Sequence, residues 1–278
     1  SAKNSSIEFR CFFCPNHSFP AKLFRISIAM NRPRHLVACV LCLFLVPAAL
    51  PAAPKSPEID PIALAHLKRM CDTLAEAPAF TYQSRSIVEA PTPSGQSITL
   101  FPSAEVALKR PDKLRVELRG EAPAFDFFYN GKTAAAFAPT TKNYSLAAAP
   151  PTIDAMLPAL EKETGIRLVT APLLFSDPYA AVAKSITSAS VVGSTVVKGI
   201  PCQHLAFRSK GVDWEIWIEE GDRDLPRRLV VNFTEDANLP RMLVEFTKWN
   251  LRPWLRDSIF DFEKPDDGKE IPFVSVRE

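Results

Sequence analysis

The residues able to do chemistry are few in this 278-residue sequence, and they are poorly spaced for it. Beyond residue 53 there are two histidines, His66 and His204, and two cysteines, Cys71 and Cys202. Close acidic pairs also occur, Asp213/Glu215 and Glu219/Glu220, the latter followed by Asp222 and Asp224. A catalytic zinc site takes three protein ligands, and neither histidine has a second ligand at a motif spacing. His66 reads as a surface residue of a helix and His204 as a hydrogen-bonded imidazole within a strand. Paired carboxylates could serve glycoside hydrolysis at separations of about 5–10 Å. Here Asp213 and Glu215 alternate with Val212, Trp214 and Ile216, the pattern of a solvated outer face, while Glu219 to Asp224 surrounds Gly221 as a turn. No nucleophile elbow, Walker loop or dinucleotide fingerprint occurs. The reading is therefore no catalytic residue, no metal and no cofactor, with a hydrolase using an acidic pair ranked third among the functions considered.

Cys71 and Cys202 could bridge in an oxidising compartment, closing a loop of about 130 residues and stabilising by roughly 4–5 kcal/mol on chain-entropy reasoning. Alternatively Cys71, on the apolar face of a helix, is a small core residue. The aromatic inventory is more informative. Phe125, Phe127 and Tyr129 share one strand face, and Trp214 lines up with Ile216 and Ile218. Leu229, Val231 and Phe233 form another dry row, as do Met242, Val244 and Phe246. Core packing accounts for most such rows. The sharper expectation is that Phe125, Phe127, Tyr129, Trp214, Ile216, Phe233 and Phe246 line a surface for an acyl chain or other apolar ligand. Trp217 points the opposite way from Trp214, so it is either exposed or covered by another layer.

Charge divides the sequence. The formal charge of +2 and the sequence pI of 8.2 would suggest nucleic acid only if the charge were evenly spread. Residues 1–53 hold six Lys/Arg against one Asp/Glu, whereas residues 54–278 hold 27 against 30. The basicity belongs to a leader, and the remainder is mildly acidic, which removes a nucleic-acid partner from consideration. Within the leader, Arg32, Arg34 and His35 precede an apolar run from Leu36 to Val46, then Pro47 and the small residues Ala48, Ala49, Ala52 and Ala53. This is the pattern of a secretory signal over residues 30–53. Its 11 apolar residues are short of the roughly 20 that span a bilayer. Cys39 mimics a lipoprotein processing site but lacks a preceding apolar run. Cys11, Cys14 and His17 lack a second ligand pair. Residues 1–29 are read as a dispensable extension or an overcalled start, and residues 54–278 as a single exported domain with no membrane span.

That domain alternates. Asp60-Pro61 supplies a helix cap followed by proline at the first helical position, and Leu64, Leu67, Cys71 and Leu74 then share one helical face until Pro78. Period-two strands follow over Phe80–Val88, Ile98–Leu108, Leu114–Leu118 and Phe125–Tyr129, with a hairpin turn at Asn130-Gly131. Lys132–Ala138 and a short strand with Tyr144 and Leu146 continue the block. Thr152 caps a second helix closed by Gly165, and Asp177-Pro178 opens a third through Ala183. Strands resume over Val191–Val197, Cys202–Phe207, Val212–Glu219, Arg227–Thr234, Met242–Trp249 and Ile259–Phe262. Helices placed before and between two strand blocks exclude repeated βαβ units. The economical architecture is mainly β (α+β): a strongly curved antiparallel sheet forming an open half-barrel around a few helices.

Several segments carry a resemblance. Asp60-Pro61, Arg110-Pro111-Asp112-Lys113-Leu114-Arg115-Val116, Phe128-Tyr129-Asn130-Gly131-Lys132 and Asp177-Pro178-Tyr179 are among them. So are the runs Gly199–Arg208 and Val212–Glu219. Over roughly residues 58–265 the sequence resembles an uncharacterised family of predicted periplasmic proteins, domain of unknown function 2092. The resemblance implies a periplasmic location and a fold like that of the lipoprotein carriers LolA and LolB. It implies no activity and transfers no site residue. The expected function is non-catalytic binding or carriage of a lipid or a lipoprotein acyl chain in the concave apolar sheet. The alternative is an envelope protein–protein interaction or sensor module without a ligand cavity.

Overall fold

The computed structural model of the protein describes residues 58–91, 96–121, 124–164, 168–235 and 241–273. The readings placed on residues 1–57, and the closing glycine Gly165, lie outside the described residues. The first helix, α1 (Pro61–Glu76), starts where its cap dictates: the Asp60 carboxylate accepts from the Ile62 N–H at 2.8 Å, and Pro61 occupies the first position. Ala63, Leu67, Met70, Cys71 and Leu74 form its buried stripe.

The strands are β1 (Ala79–Pro91), β2 (Ser97–Leu100), β3 (Ser103–Lys109), β4 (Lys113–Arg119), β5 (Phe125–Tyr129), β6 (Thr133–Ala138) and β7 (Asn143–Ala148). Helices α2 (Ile153–Thr164) and α3 (Pro178–Ala183) follow, separated by a 3-10 turn at Ala171–Leu174. Then come β8 (Ile186–Val197), β9 (Ile200–Ser209), β10 (Val212–Glu219), β11 (Pro226–Phe233), β12 (Met242–Asn250) and the short β13 (Lys269–Glu270). All 13 join one sheet in the order β13-β7-β6-β5-β4-β3-β1-β12-β11-β10-β9-β8, with β2 paired to the far end of β1. Every pairing is antiparallel except β13 with β7. The two ends of this order do not meet, so the sheet is unclosed. One buried cluster collects inner-face residues from β4 and β5 on one side and β9 and β10 on the other around α1 and α2, which requires the sheet to curve about its helices.

Three local outcomes differ from the alternation read in sequence. The expected strand Ile98–Leu108 is broken at Phe101-Pro102: β2 pairs with the end of β1 and β3 with its beginning, and Pro102 contributes only its carbonyl, which accepts from Ser86 N–H at 2.8 Å. The expected strand Ile259–Phe262 is instead a 3-10 turn at Asp257–Phe260. It lies across the outer face, where Arg115 donates to the Ile259 carbonyl at 3.1 Å and the Phe262 ring packs 5.2–6.0 Å from Phe128, Phe137 and Tyr144. Finally, Lys248 takes a left-handed φ of 52°. Beside it the β1–β12 register slips, and Trp249 turns inward to lie 4.6 Å from Tyr82 and 5.7 Å from Phe80.

Arg110 ties helices to sheet. Its guanidinium donates to the carbonyl of Leu74 in the last turn of α1 (3.2 Å) and to the carbonyl of Leu174 at the end of the 3-10 turn (2.9 Å), and it lies over the Phe80 ring. Carbonyls at helix ends have no partner within their own helix, so one cation satisfies two of them at once. Nearby, Tyr129 donates to the Pro150 carbonyl at 2.6 Å, fixing the approach to α2.

The bridge between Cys71 and Cys202 considered from the sequence is not made. Both thiols are free and buried. Cys71 sits under α1 in the inner cluster, whereas Cys202 belongs to a second cluster with Val197, Trp217 and Val230 on the outer face, so the sheet lies between them. Burial pushes the Cys71 thiol up to about 12 and holds Cys202 above its ordinary value as well, which makes both poor nucleophiles.

Arg110→Met should lower stability by about 2–4 kcal/mol in urea unfolding, because two buried carbonyls lose a charged donor, and Arg110→Lys should recover only part of the loss. Alkylation of unreduced protein, followed by peptide mass spectrometry, should label Cys71 and Cys202 fully after denaturation and slowly before it.

Candidate ligand-binding surface

Strand register sets the inner face out in rows. Tyr129, Leu114, Leu108 and Phe80 are successive cross-strand partners at the end of the sheet where α1 and α2 meet it, and each is fully buried. One step along every strand, Phe127, Val116, Val106 and Tyr82 form the next row. There Phe127, Val106 and Tyr82 remain buried and Val116 is half-buried. A further step reaches Phe125, Leu118, Ala104 and Ser84, all half-buried. Across β12 to β10 the same gradient holds: Phe246, Val244, Leu229 and Ile216 are buried, whereas Met242, Phe233, Trp214 and Val212 are half-buried. From β5 through β1 to β10 the inner face is therefore a dry floor under α1 and α2 that gives way to a half-buried apolar lip at the opposite end of the strands, whereas on β8 and β9 that end is buried, at Ile186, Phe207 and Ser209, where α3 leads into β8.

The residues proposed from sequence divide between these two zones. Phe127, Tyr129, Ile216 and Phe246 belong to the floor, with exposures of 0–4%. Phe125, Trp214 and Phe233 lie on the lip. Trp214 stacks on Phe207 at 4.2 Å with an interplanar angle of 18°, and its indole N–H donates to Ser209 Oγ at 3.4 Å, which fixes the ring while leaving part of it open. Sequence reasoning missed Leu118, Met242, Val88 and the serines Ser84 and Ser86 as lip residues. Alternation identifies a face but carries no information on how far along a strand the helices reach.

The floor is packed, not hollow. Tyr82, Phe246 and Trp249 contact one another with ring centroids 4.6–5.9 Å apart. The Tyr82 phenol, hydrogen-bonded to Thr170, is pushed up to about 12 by burial. The cavity between α2 and the 3-10 turn, lined by Leu157, Leu160, Leu168 and Phe175 among others, is only about 40 Å³. The concave interior expected from sequence is thus filled in this region by the protein's own side chains.

Acidic groups are engaged elsewhere. On the outer face Asp213 pairs with Arg208 at 2.7 Å, whose hydrogen bond holds the carboxyl below its ordinary value, and Glu215 pairs with His204 at 2.8 Å and Arg241 at 3.6 Å. His204 also stacks on Trp217 at 3.9 Å, and the Arg228 guanidinium lies over the Trp217 ring at 5.3 Å. Trp217 is therefore covered by polar neighbours of its own sheet. Glu219 is bound by Arg223 and by the buried Arg227. His66 is half-buried at the rim of a polar cleft of about 380 Å³ between α1 and the β10–β11 turn, with Arg69, Ser194, Gln203, Glu219, Glu220 and Asp224. Its Nδ1 lies 2.7 Å from the Arg69 guanidinium, and burial together with that cation lowers its pKa. No group of three or more metal-type ligands occurs among the described residues. Among those residues no helix is long and apolar enough to cross a membrane.

Solved structures of similar architecture include an uncharacterised conserved protein from Thermus thermophilus, with 12% identity, 76% of this chain and 99% of that one covered, and a TM-score of 0.44. Lipoprotein LppX of Mycobacterium tuberculosis gives 13% identity, coverage of 69% and 96%, and a TM-score of 0.42. A LolA superfamily protein from Nitrosomonas europaea gives 11% identity, coverage of 72% and 97%, and a TM-score of 0.37. No curated protein matches the chain. A family model described as "Predicted periplasmic protein (DUF2092)" matches residues 63–274, which include most of helix α1, the Arg110 tie and both strand blocks. The chain therefore belongs to the DUF2092 family of predicted periplasmic proteins, and it is a periplasmic protein.

Proposed function

We propose that the protein binds a hydrophobic molecule, such as a lipid or the acyl chain of a lipoprotein, across the lip of its inner face, without converting it. The observation that carries this reading is the graded burial along the strands. The face that is fully dry beneath α1 and α2 stays apolar further along the strands, with Phe125, Leu118, Met242, Phe233, Val212 and Trp214 all half-buried. An open apolar surface on a water-soluble face is costly unless it serves contact, because each exposed Å² forgoes about 25 cal/mol. The packed floor argues for a ligand lying over the lip, held by area and shape, and not for one enclosed in a preformed pocket of the usual several hundred Å³. Ser84 and Ser86, half-buried on β1 in the midst of the lip, supply the few hydroxyls that would orient a polar headgroup. Binding suits the chemistry of the site better than catalysis: the carboxylates of Asp213, Glu215 and Glu219 are committed to cations away from this surface.

The purified protein should bind N-phenylnaphthylamine with micromolar affinity, and long-chain fatty acids should displace it. Leu118→Asp and Phe233→Asp should each weaken the probe by about tenfold or more, since a carboxylate would have to be desolvated against the ligand. Glu105→Lys, on the exposed outer face of β3, should not. Absence of probe binding, or binding indifferent to both lip variants, would overturn the reading.

A further inference from the structure

The edge strand β8 carries a feature that ligand binding at the lip does not use. Its outer edge already accepts extended backbone at one point: Asp60 N–H donates to the Ala189 carbonyl at 2.9 Å, and Ala189 N–H donates to the Glu58 carbonyl at 3.1 Å, with Ile59 in parallel register. Since alternate residues of a strand direct their backbone groups to opposite sides, Val191 also faces outward, and after the register shift at Val191/Gly193 so do Ser194 and Val196. Val196 is opposite Pro201, which has no N–H to offer it.

Natural sheets guard such edges with lysine, proline or inward charges. Ile186–Val197 contains none of these residues, its guard being limited to the register shifts at Ile186/Ser188 and Val191/Gly193; it is rich in β-branched residues, and Val192 and Val196 are 56% and 64% exposed. The open stretch borders the polar cleft. Gln203 Nε2 donates to both Ser194 Oγ (2.8 Å) and Glu220 Oε1 (2.6 Å), so the edge and the cleft are joined through one side chain. Of the cleft's carboxylates, Glu219 is held by Arg223 and Arg227 and Asp224 by Arg69. Glu220 forms an ion pair with none of the described residues. A second copy fits the edge poorly: antiparallel self-pairing of Val191–Val196 would bring Lys198 of each copy opposite Ala189 of the other, where Glu58 and Asp60 of that copy already pair.

The geometry points to strand addition at β8: an extended peptide segment pairs with Val191–Val196 and places a lysine or arginine side chain in the cleft against Glu220. The backbone ladder would supply affinity and the cleft would supply the preference for a basic residue. This site is separate from the lip and does not depend on it.

The test is fluorescence anisotropy with labelled ten-residue peptides of alternating valine and threonine carrying one central lysine, with a glutamate twin. The lysine peptide should bind about fivefold more tightly than its twin at low salt, and the preference should shrink as salt rises. Val196→Pro should abolish binding of both peptides while leaving N-phenylnaphthylamine binding intact. Glu220→Lys, which leaves the backbone unchanged, should reverse the preference. Equal binding of the two peptides, no binding at all, a lysine preference that survives Glu220→Lys, or concentration-dependent dimerisation abolished by Val196→Pro would each overturn the proposal.

Discussion

A broad antiparallel sheet with one dry face must cover that face, and everything else in the protein follows from how incompletely it does so. Among the described residues, thirteen strands present more inner surface than three helices of 16, 12 and 6 residues can overlie. Curvature reduces the deficit by bringing β4 and β5 toward β9 and β10 around α1 and α2, so that a single cluster fills the floor. Helices α1 and α2 are held at one end because the α1–β1 and β7–α2 connections arrive there, whereas α3 enters β8 at the other end, where Ile186 lies opposite Ser209. Arg110 reinforces this placement by satisfying the terminal carbonyls of two helical segments at once. The opposite end of the same strands is left apolar and partly open. Floor and lip are thus one surface seen at two depths.

The outer face solves a different problem. Polar residues dominate it, yet Trp217, Cys202, Val230 and Val197 are buried there. They are shielded by stacking of His204 on Trp217 and by Arg228 and Lys198, which converge on Glu245 at 2.7 Å each. Elsewhere on that face the segment around Phe262 packs across β5 to β7, and β13 closes onto β7 in parallel. Backbone irregularities perform the exchanges between faces. The left-handed Lys248 sends Trp249 inward, and the shift beside Trp217 buries Arg227 against Glu219. Each moves a side chain across the sheet without breaking it.

Much of this was legible in the sequence. The cap at Asp60-Pro61, the cap at Asp177-Pro178 and the hairpin at Asn130-Gly131 lie where their chemistry requires. The alternation of Leu114, Val116 and Leu118 with charged residues gives the correct inner face. What alternation could not convey was anything perpendicular to it. Whether Phe127 and Phe125 differ in burial depends on where a distant helix stops, a tertiary fact. Strict alternation from Met242, Val244 and Phe246 would set Trp249 on the outer face, and the bulge at Lys248 that turns it inward has no sequence mark comparable to a glycine or a proline. The role of Arg110 was hidden for a similar reason: its acceptors are backbone carbonyls at residues 74 and 174, and carbonyls are the same in every sequence. The thiols illustrate the converse. Cys71 and Cys202 invited pairing by number alone, and only the sheet between them decides otherwise.

The row structure of the inner face also separates two kinds of evolutionary freedom. Substitutions at Tyr129, Leu108 or Phe80 disturb a filled interior and are punished through folding whatever they do to recognition. Positions such as Phe125, Leu118 and Phe233 bury less, so their exchange for other apolar residues alters the shape of the open surface at small thermodynamic cost. A scaffold built this way can drift in what it holds while keeping how it stands, with strands such as β4, β5 and β11 divided along their length into a constrained half and a permissive one.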